Sequence, residues 1–84
     1  MANNQPLLTV YGREGCHLCR DMWDALEELQ AEGGFRLSWV DVDGDAGLAR
    51  RYGTKVPVLM AGERELCHYF LEMPALNAFL AEIR

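Results

Sequence analysis

The stretch VYGREGCHLC, residues 10–19, joins an apolar, β-favouring run to the start of an amphipathic pattern. The apolar run, residues 7–11, predicts a buried first strand. From Leu18 onward, apolar residues recur at helical spacing, and acidic residues occupy the other positions. Cys16 therefore lies in a predicted strand-to-helix loop, and Cys19 lies in the first turn of the predicted helix.

A second strand and a second helix follow this first unit. Gly33-Gly34 predicts the end of the first helix, because glycine readily adopts the left-handed conformation found after helix C-termini. Residues 35–42 alternate between apolar and polar side chains, which predicts a second strand. A strand, a helix and a strand in succession form a βαβ unit with parallel strands. Asp45 is the predicted N-cap of a short helix that Gly53 closes.

The last third of the chain reads as a hairpin and a helix. Residues 56–60 and 65–69 flank a turn at residues 61–64, which predicts an antiparallel pair. Pro74 fits the first turn of the final helix. The predicted order is therefore β-α-β-α-β-β-α, an α/β chain. Core positions are predicted at Leu76, Phe79, Leu80 and Ile83 of the last helix, and at Trp23, Trp39 and Tyr52.

The length of the chain limits the number of domains, and its net charge limits the possible partners. The 84 residues predict one domain, 1–84, with residues 1–6 as a loose tail. Eight basic against 13 acidic side chains give a net charge of −5, which repels phosphate backbones and anionic lipid. Neither nucleic acid nor a membrane is expected as a partner. No leader-like segment stands at the N-terminus, so we expect a cytoplasmic location. We also expect a monomer.

The spacing of the two cysteines predicts thiol chemistry. Unpaired N–H groups and the helix dipole at a helix N-terminus favour an anion, so Cys16 should ionise below the ordinary thiol pKa of about 8.5. Cys19 follows one turn later, close enough to form a disulfide with Cys16. We predict that Cys16 attacks a substrate disulfide and that Cys19 resolves the mixed disulfide.

Two segments resemble the signatures of the glutaredoxin family. Residues 10–19 are similar to the family's first strand and active-site loop, and Lys55-Val56-Pro57-Val58-Leu59 is similar to its second motif. The resemblance implies a dithiol–disulfide oxidoreductase with a thioredoxin-like fold. It also implies a four-stranded mixed sheet in the order 2-1-3-4, with helices on both faces. Pro57 is implied to be cis and to face the cysteines, and Val56 to dock the substrate.

The same resemblance implies partners and further site residues. No bound cofactor is implied; glutathione is implied as a co-substrate. The implied substrate is a protein disulfide or a glutathione mixed disulfide, with a thioredoxin or glutathione system as reductant. Arg13 stands where the family has a lysine, so it is a predicted substrate-binding residue. His17 and Tyr11 are added because they lie beside the site; the alternatives are an exposed spectator for His17 and a core position for Tyr11. His17-Leu18 replaces the family's inner Pro-Tyr pair, and residues 70–74 lack its glycine pair.

Two other functions remain open from the residues alone. The cysteine pair is also compatible with a zinc or iron–sulfur binding module. Four possible ligands for such a metal are Cys16, Cys19, Cys67 and His68, a candidate tetrad. Adjacent strand residues point to opposite faces, so we assign no metal ligand and expect Cys67 in the core. A thioredoxin-fold interaction domain with idle cysteines is the third hypothesis. The aspartates at positions 41, 43 and 45 are predicted to serve turns and caps.

Overall fold

Four strands and three helices follow one another in the predicted order. The structure, a computed structural model, describes residues 5–83. The elements are β1 (Leu7–Gly12), α1 (His17–Gln30), β2 (Arg36–Asp41), a 3₁₀ turn (Val42–Gly44), α2 (Ala46–Tyr52), β3 (Val58–Ala61), β4 (Arg64–His68) and α3 (Met73–Glu82). In this described part of the chain, no helix has the length and apolar character that crossing a membrane requires.

The predicted N-terminal tail lies mostly outside the described residues. Residues 1–4 of the predicted tail, 1–6, are not described. The carbonyl of Pro6 accepts a hydrogen bond from the Arg36 N–H (2.8 Å), and the carbonyl of Gln5 accepts one from the Arg36 side chain (3.3 Å). The chain is therefore attached to the first residue of β2 just before β1 begins.

The sheet is mixed, with β1 and β3 in its centre. Its order is β2-β1-β3-β4, which confirms the prediction. β1 runs parallel to β2, so Gly12 pairs with Asp41 and both strands end at the same edge. β1 and β3 are antiparallel, with Tyr11 opposite Val58. β3 spans residues 58–61 instead of the predicted 56–60, because Val56 and Pro57 precede the paired strand.

Each face of the sheet carries its own apolar core, so helices cover both faces as predicted. Leu8 and Val10 of β1 point toward α1 and α3, while Tyr11 points toward α2 because side chains alternate along a strand. The larger core comprises Leu8, Val10, Met22, Leu26, Phe35, Leu59, Cys67, Leu76 and Leu80. The smaller core comprises Val42, Tyr52, Val58 and Met60.

Local side-chain bonds fix the ends of the short elements. The Asp45 carboxylate accepts the Leu48 N–H at the start of α2 (3.1 Å), and Asp41 accepts the Asp43 N–H (2.9 Å). The predicted capping roles of Asp41 and Asp45 are thus confirmed. Gly33 has φ 83°, the left-handed conformation expected just after α1.

Three of the sequence predictions are wrong in detail. Ile83 is 47% exposed, because α3 ends at Glu82 and Ile83 lies just beyond the helix. Trp39 is 39% exposed, because β2 is an edge strand with no neighbour on its outer side. Tyr69 lies outside β4, which ends at His68. Tyr52 is buried as predicted.

Leu26 tests the larger core, since it is fully buried on the inner side of α1. Leu26→Ala should lower the free energy of unfolding by about 2–5 kcal/mol, because it leaves a cavity between α1 and the sheet. Exposed Glu28 on the same helix provides the control. Glu28→Ala should change the free energy of unfolding by less than about 0.5 kcal/mol. Urea unfolding of both variants measures the difference. Equal stability of the two variants would contradict the assigned packing.

Candidate active site

A tight loop delivers Cys16 from the end of β1 to the start of α1. The Cys16 N–H donates to the Arg13 carbonyl (3.3 Å), which closes a turn after the strand. Gly15 has φ 81°, a left-handed conformation that side-chain-bearing residues rarely adopt. Cys16 is extended (φ −89°, ψ 112°) and occupies the N-cap of α1. The loop therefore ends with a sulfur over the first turn of the helix.

One backbone N–H of the first helical turn donates to the Cys16 sulfur, and a second donates to the Cys16 carbonyl. The Cys19 N–H donates to Cys16 Sγ (3.2 Å), and the Arg20 N–H donates to the Cys16 carbonyl (3.1 Å). Cysteine thus takes the place of the usual serine or aspartate cap. A hydrogen bond to sulfur at a helix N-terminus stabilises the thiolate relative to the thiol.

The two sulfurs are in disulfide contact but differ in exposure. The Cα atoms of Cys16 and Cys19 lie 5.2 Å apart, within the range that a disulfide requires. Cys19 is 1% exposed and lies on the buried side of α1. Cys16 is partly exposed and lines an open groove. An incoming sulfur therefore reaches Cys16, and Cys19 is accessible mainly to Cys16.

Gly12 provides the space that this arrangement needs. A Cβ added there would lie 2.5 Å from Trp39 Cη2 and 3.1 Å from Cys19 Sγ. Real Cβ atoms essentially never come as close to another atom as 2.5 Å, and 3.1 Å is tighter than most of their contacts. The indole of Trp39 and the sulfur of Cys19 therefore both pack against the bare backbone at the end of β1.

Arg13 is hydrogen-bonded within its own chain and also lines the groove beside Cys16. Its guanidinium donates two hydrogen bonds to Asp43 (3.1 and 2.9 Å) and a third to the Gly53 carbonyl (2.9 Å). The bond from Arg13 holds the pKa of Asp43 below its usual range, and the same bond raises the pKa of Arg13. Arg13 thus ties the cysteine loop to the end of β2 and to the loop after α2.

Val56 and Pro57 lie next to the end of β1. Continuing the Tyr11–Val58 pairing by two residues places them beside residues 12–13. The Val56–Pro57 peptide bond is cis. The carbonyl of buried Pro57 accepts the Tyr69 N–H (2.8 Å). Within residues 5–83, neither the N–H nor the carbonyl of Val56 has a hydrogen-bond partner.

The other predicted binding residues lie in different environments. His17, the first residue of α1, is exposed and lines the same groove as Cys16. Tyr11 stacks on Tyr52 (ring centroids 4.5 Å apart) in the smaller core and does not line this groove. Tyr11 therefore supports the strand below the site from the α2 side.

Beside Cys16, an open groove of about 750 Å³ runs along α1 toward β2. Trp39 and Trp23 meet edge to face in it, with ring centroids 5.9 Å apart. Sequence reasoning missed Trp39 and Asp43 as neighbours of the site. The parallel pairing of β1 and β2 was the available signal, since it brings the ends of both strands to one edge.

The four candidate metal ligands are not brought together. Cys67 lies in the larger core as predicted, where burial raises the pKa of its thiol. His68 points to the opposite side and its Nδ1 lies 2.7 Å from Glu65. In the described chain, no three His, Cys, Asp or Glu side chains converge as metal ligands. The Cys16, Cys19, Cys67 and His68 tetrad is therefore not assembled.

This chain is similar in sequence and in fold to several known proteins. The model of the glutaredoxin-like domain (DUF836) matches residues 7–81. The uncharacterized protein Rv0508 of Mycobacterium tuberculosis is 30% identical over 83 residues, 93% of this chain and 86% of that protein. Protein Ne2328 from Nitrosomonas europaea, solved by NMR, superposes with TM-score 0.82 at 44% identity, covering 94% of this chain and 98% of that one. Escherichia coli glutaredoxin shares the fold, with TM-score 0.58 at 21% identity over 92% of this chain and 95% of its own.

Gly12→Ala tests the close contact behind the sulfurs. The added methyl group must displace Trp39 or Cys19, which should lower the free energy of unfolding by about 1–3 kcal/mol and change the tryptophan emission. Gly44→Ala is the matched control, because a Cβ there meets nothing within 4 Å. Chemical unfolding followed by fluorescence compares the two. If both variants match the wild type, Trp39 and Cys19 do not pack against Gly12.

Proposed function

The chain belongs to the glutaredoxin-like domain family (DUF836), and on that premise we propose that it exchanges thiols and disulfides through Cys16 and Cys19. The observation that carries the proposal is the unequal exposure of the two sulfurs. Cys16 is open to a groove and accepts a helical N–H, whereas Cys19 is buried behind it. An attacking thiolate and a protected resolving thiol require this arrangement.

The exchange proceeds in two balanced steps. The Cys16 thiolate attacks one sulfur of a substrate disulfide, so a Cys16–substrate bond forms and the other substrate sulfur leaves as a thiolate that takes up a proton. Cys19 then loses its proton and attacks Cys16, forming the Cys16–Cys19 disulfide and releasing the second substrate sulfur as a thiol. The substrate gains two electrons and the chain loses two. The reverse sequence oxidises a dithiol.

Val56 supports a docking role for the segment before β3. Its free N–H and carbonyl, next to the end of β1, can pair with an extended substrate backbone as one strand pairs with another. Pro57 fixes the direction of this segment and is itself held by Tyr69. His17 lies on the rim of the groove, where a substrate contacts it. Arg13 acts by positioning the cysteine loop, because its bonds go to Asp43 and Gly53.

The proposal extends to the electron donor and the location of the reaction. We assign a protein disulfide or a glutathione mixed disulfide as substrate, and a thioredoxin or glutathione system as the source of electrons. A reducing compartment, the cytoplasm, keeps such a pair available for repeated turnover. The net charge of −5 supports a monomer that associates with neither nucleic acid nor membrane.

Separate serine variants of the two cysteines test the assigned roles. Cys16→Ser should reduce insulin disulfides no faster than the uncatalysed reaction, because the attacking sulfur is missing. Cys19→Ser should complete only the first step and accumulate a mixed disulfide with the substrate, visible by intact mass spectrometry. Cys67→Ser serves as the control and should retain turnover.

The opposite pattern would contradict these roles. Turnover that survives Cys16→Ser would exclude Cys16 as the nucleophile. Mixed disulfides that form on Cys19 in the Cys16→Ser protein would show that the buried sulfur reacts first.

A further inference from the structure

Trp39 is a large aromatic side chain on an edge strand, where it is 39% exposed. It pairs with Val10, and paired residues of neighbouring strands point to the same side of a sheet. Val10 belongs to the larger core, so Trp39 lies on the sheet face that α1 covers. Cys19 is buried on the same side of α1. The two side chains therefore share one face of the sheet.

The indole of Trp39 extends along β1 toward the cysteine edge. Trp39 pairs with Val10, yet its Cη2 atom lies 2.5 Å from the position of a Cβ on Gly12, two residues further along β1. The ring of Trp23 meets it edge to face, with centroids 5.9 Å apart. Edge-to-face contact is a preferred geometry of aromatic pairs, so Trp23 helps to hold the indole in this direction.

The indole lies between the open groove beside Cys16 and the sulfur of Cys19. Of the two cysteines, only Cys16 lines that groove, and Trp39 lines it too. Cys19 Sγ lies 3.1 Å from the Cβ position on Gly12 that the Trp39 ring also contacts. The ring and the sulfur thus meet at one point of the β1 backbone. Trp39 therefore covers Cys19 on the side of the groove.

The proposed exchange requires the two sulfurs to react in a fixed order. Which sulfur reacts in thiol–disulfide exchange depends on access as well as on thiolate character. A substrate disulfide that reached Cys19 directly would form its mixed disulfide on the wrong sulfur. A Cys19 side chain that rotated into the groove would also lose its contact with Cys16. A fixed cover over Cys19 prevents both.

We propose that Trp39 is a positioning residue for the exchange, because its indole keeps the Cys19 sulfur out of the groove and next to Cys16. This inference rests on the proposed function and adds the residue that sets the order of its two steps. In the second step, Cys19 loses its proton and attacks Cys16, the Cys16–Cys19 bond forms, and the substrate sulfur leaves as a thiolate that takes up a proton. Trp39 forms none of these bonds.

Alkylation tests the covering role without any need for exchange activity. In reduced Cys16→Ser protein, iodoacetamide can modify Cys19 and Cys67, and peptide mapping by mass spectrometry gives a separate rate for each. Adding Trp39→Ala should raise the rate at Cys19 about tenfold, because a buried group reacts only when its cover opens. The rate at Cys67 should not change. Cys67 is buried in the larger core, so it reports any general opening of the fold.

A chromogenic disulfide, dithiobis(nitrobenzoate), tests the positioning role, because each step releases one coloured thionitrobenzoate. Cys16 releases the first when it attacks the reagent, and Cys19 releases the second when it resolves the mixed disulfide. With one equivalent of reagent and otherwise wild-type cysteines, Trp39→Ala should leave the first rate unchanged. The second rate should fall about tenfold, because Cys19 is no longer held in line with Cys16.

Matched variants make these results specific to the indole. Trp39→Phe keeps an aromatic ring at this position and should recover part of both effects. Leu37→Ala removes apolar contact from the same strand and the same face, two residues earlier, where the chain pairs with Leu8 instead of lying beside Gly12. It should leave the Cys19 alkylation rate and both release rates as in the parent proteins.

The outcomes separate this inference from the proposed function. Equal Cys19 alkylation with and without Trp39 would overturn the inference. An equal rise at Cys67 and Cys19, in Trp39→Phe as well as in Trp39→Ala, would do so too, since it shows a loosened fold and not a lost cover. An unchanged second release in Trp39→Ala would exclude the positioning role. If the wild type never releases the second thionitrobenzoate, Cys19 does not resolve and the proposed function fails, whereas the alkylation rates still measure the cover.

Discussion

A single hydrogen bond, from the backbone N–H of Cys19 to the sulfur of Cys16, organises the candidate site. It makes the sulfur the cap of α1, where the helix dipole and unpaired N–H groups stabilise negative charge. The bond forms because β1 ends at this edge and Gly15 allows the loop to turn back in a left-handed conformation. Gly12 leaves room for Cys19 behind it. The reactivity that we propose for Cys16 therefore depends on where β1 ends and α1 begins.

The remaining structure holds that junction rigid from two sides. On one side, Arg13 binds Asp43 and the Gly53 carbonyl, which connects the cysteine loop to the end of β2 and to the loop after α2. On the other side, Tyr69 binds Pro57 and Thr54 and fixes the segment for which we propose substrate docking. Both loops that flank the sulfurs are thus held by hydrogen bonds to residues distant in the sequence.

The elements that local sequence determines were predictable, and contacts between distant residues were not. Hydrophobic periodicity, the glycines after α1 and the Asp45 cap predicted the order of elements, and the spacing of Cys16 and Cys19 predicted the site. The Arg13–Asp43 pair joins residues 30 positions apart and depends on strand register. Tyr69 continues an apparent strand pattern, yet its bonds to Thr54 and Pro57, in the link between α2 and β3, impose a turn (φ 67°) that β propensity opposes. The sequence alone does not indicate where bonds between distant residues override the local structural preference of a segment.

The most direct test of the account is the ionisation of Cys16 in the reduced chain. Thiolate absorbance near 240 nm, followed against pH in the Cys67→Ser protein and in the Cys16→Ser, Cys67→Ser double variant, isolates the Cys16 transition. The account predicts a pKa for Cys16 below the ordinary thiol value of about 8.5, because the Cys19 N–H and the start of α1 favour the anion. A Cys16 pKa at or above that value would show that the helix terminus does not activate the sulfur, and would contradict the central claim.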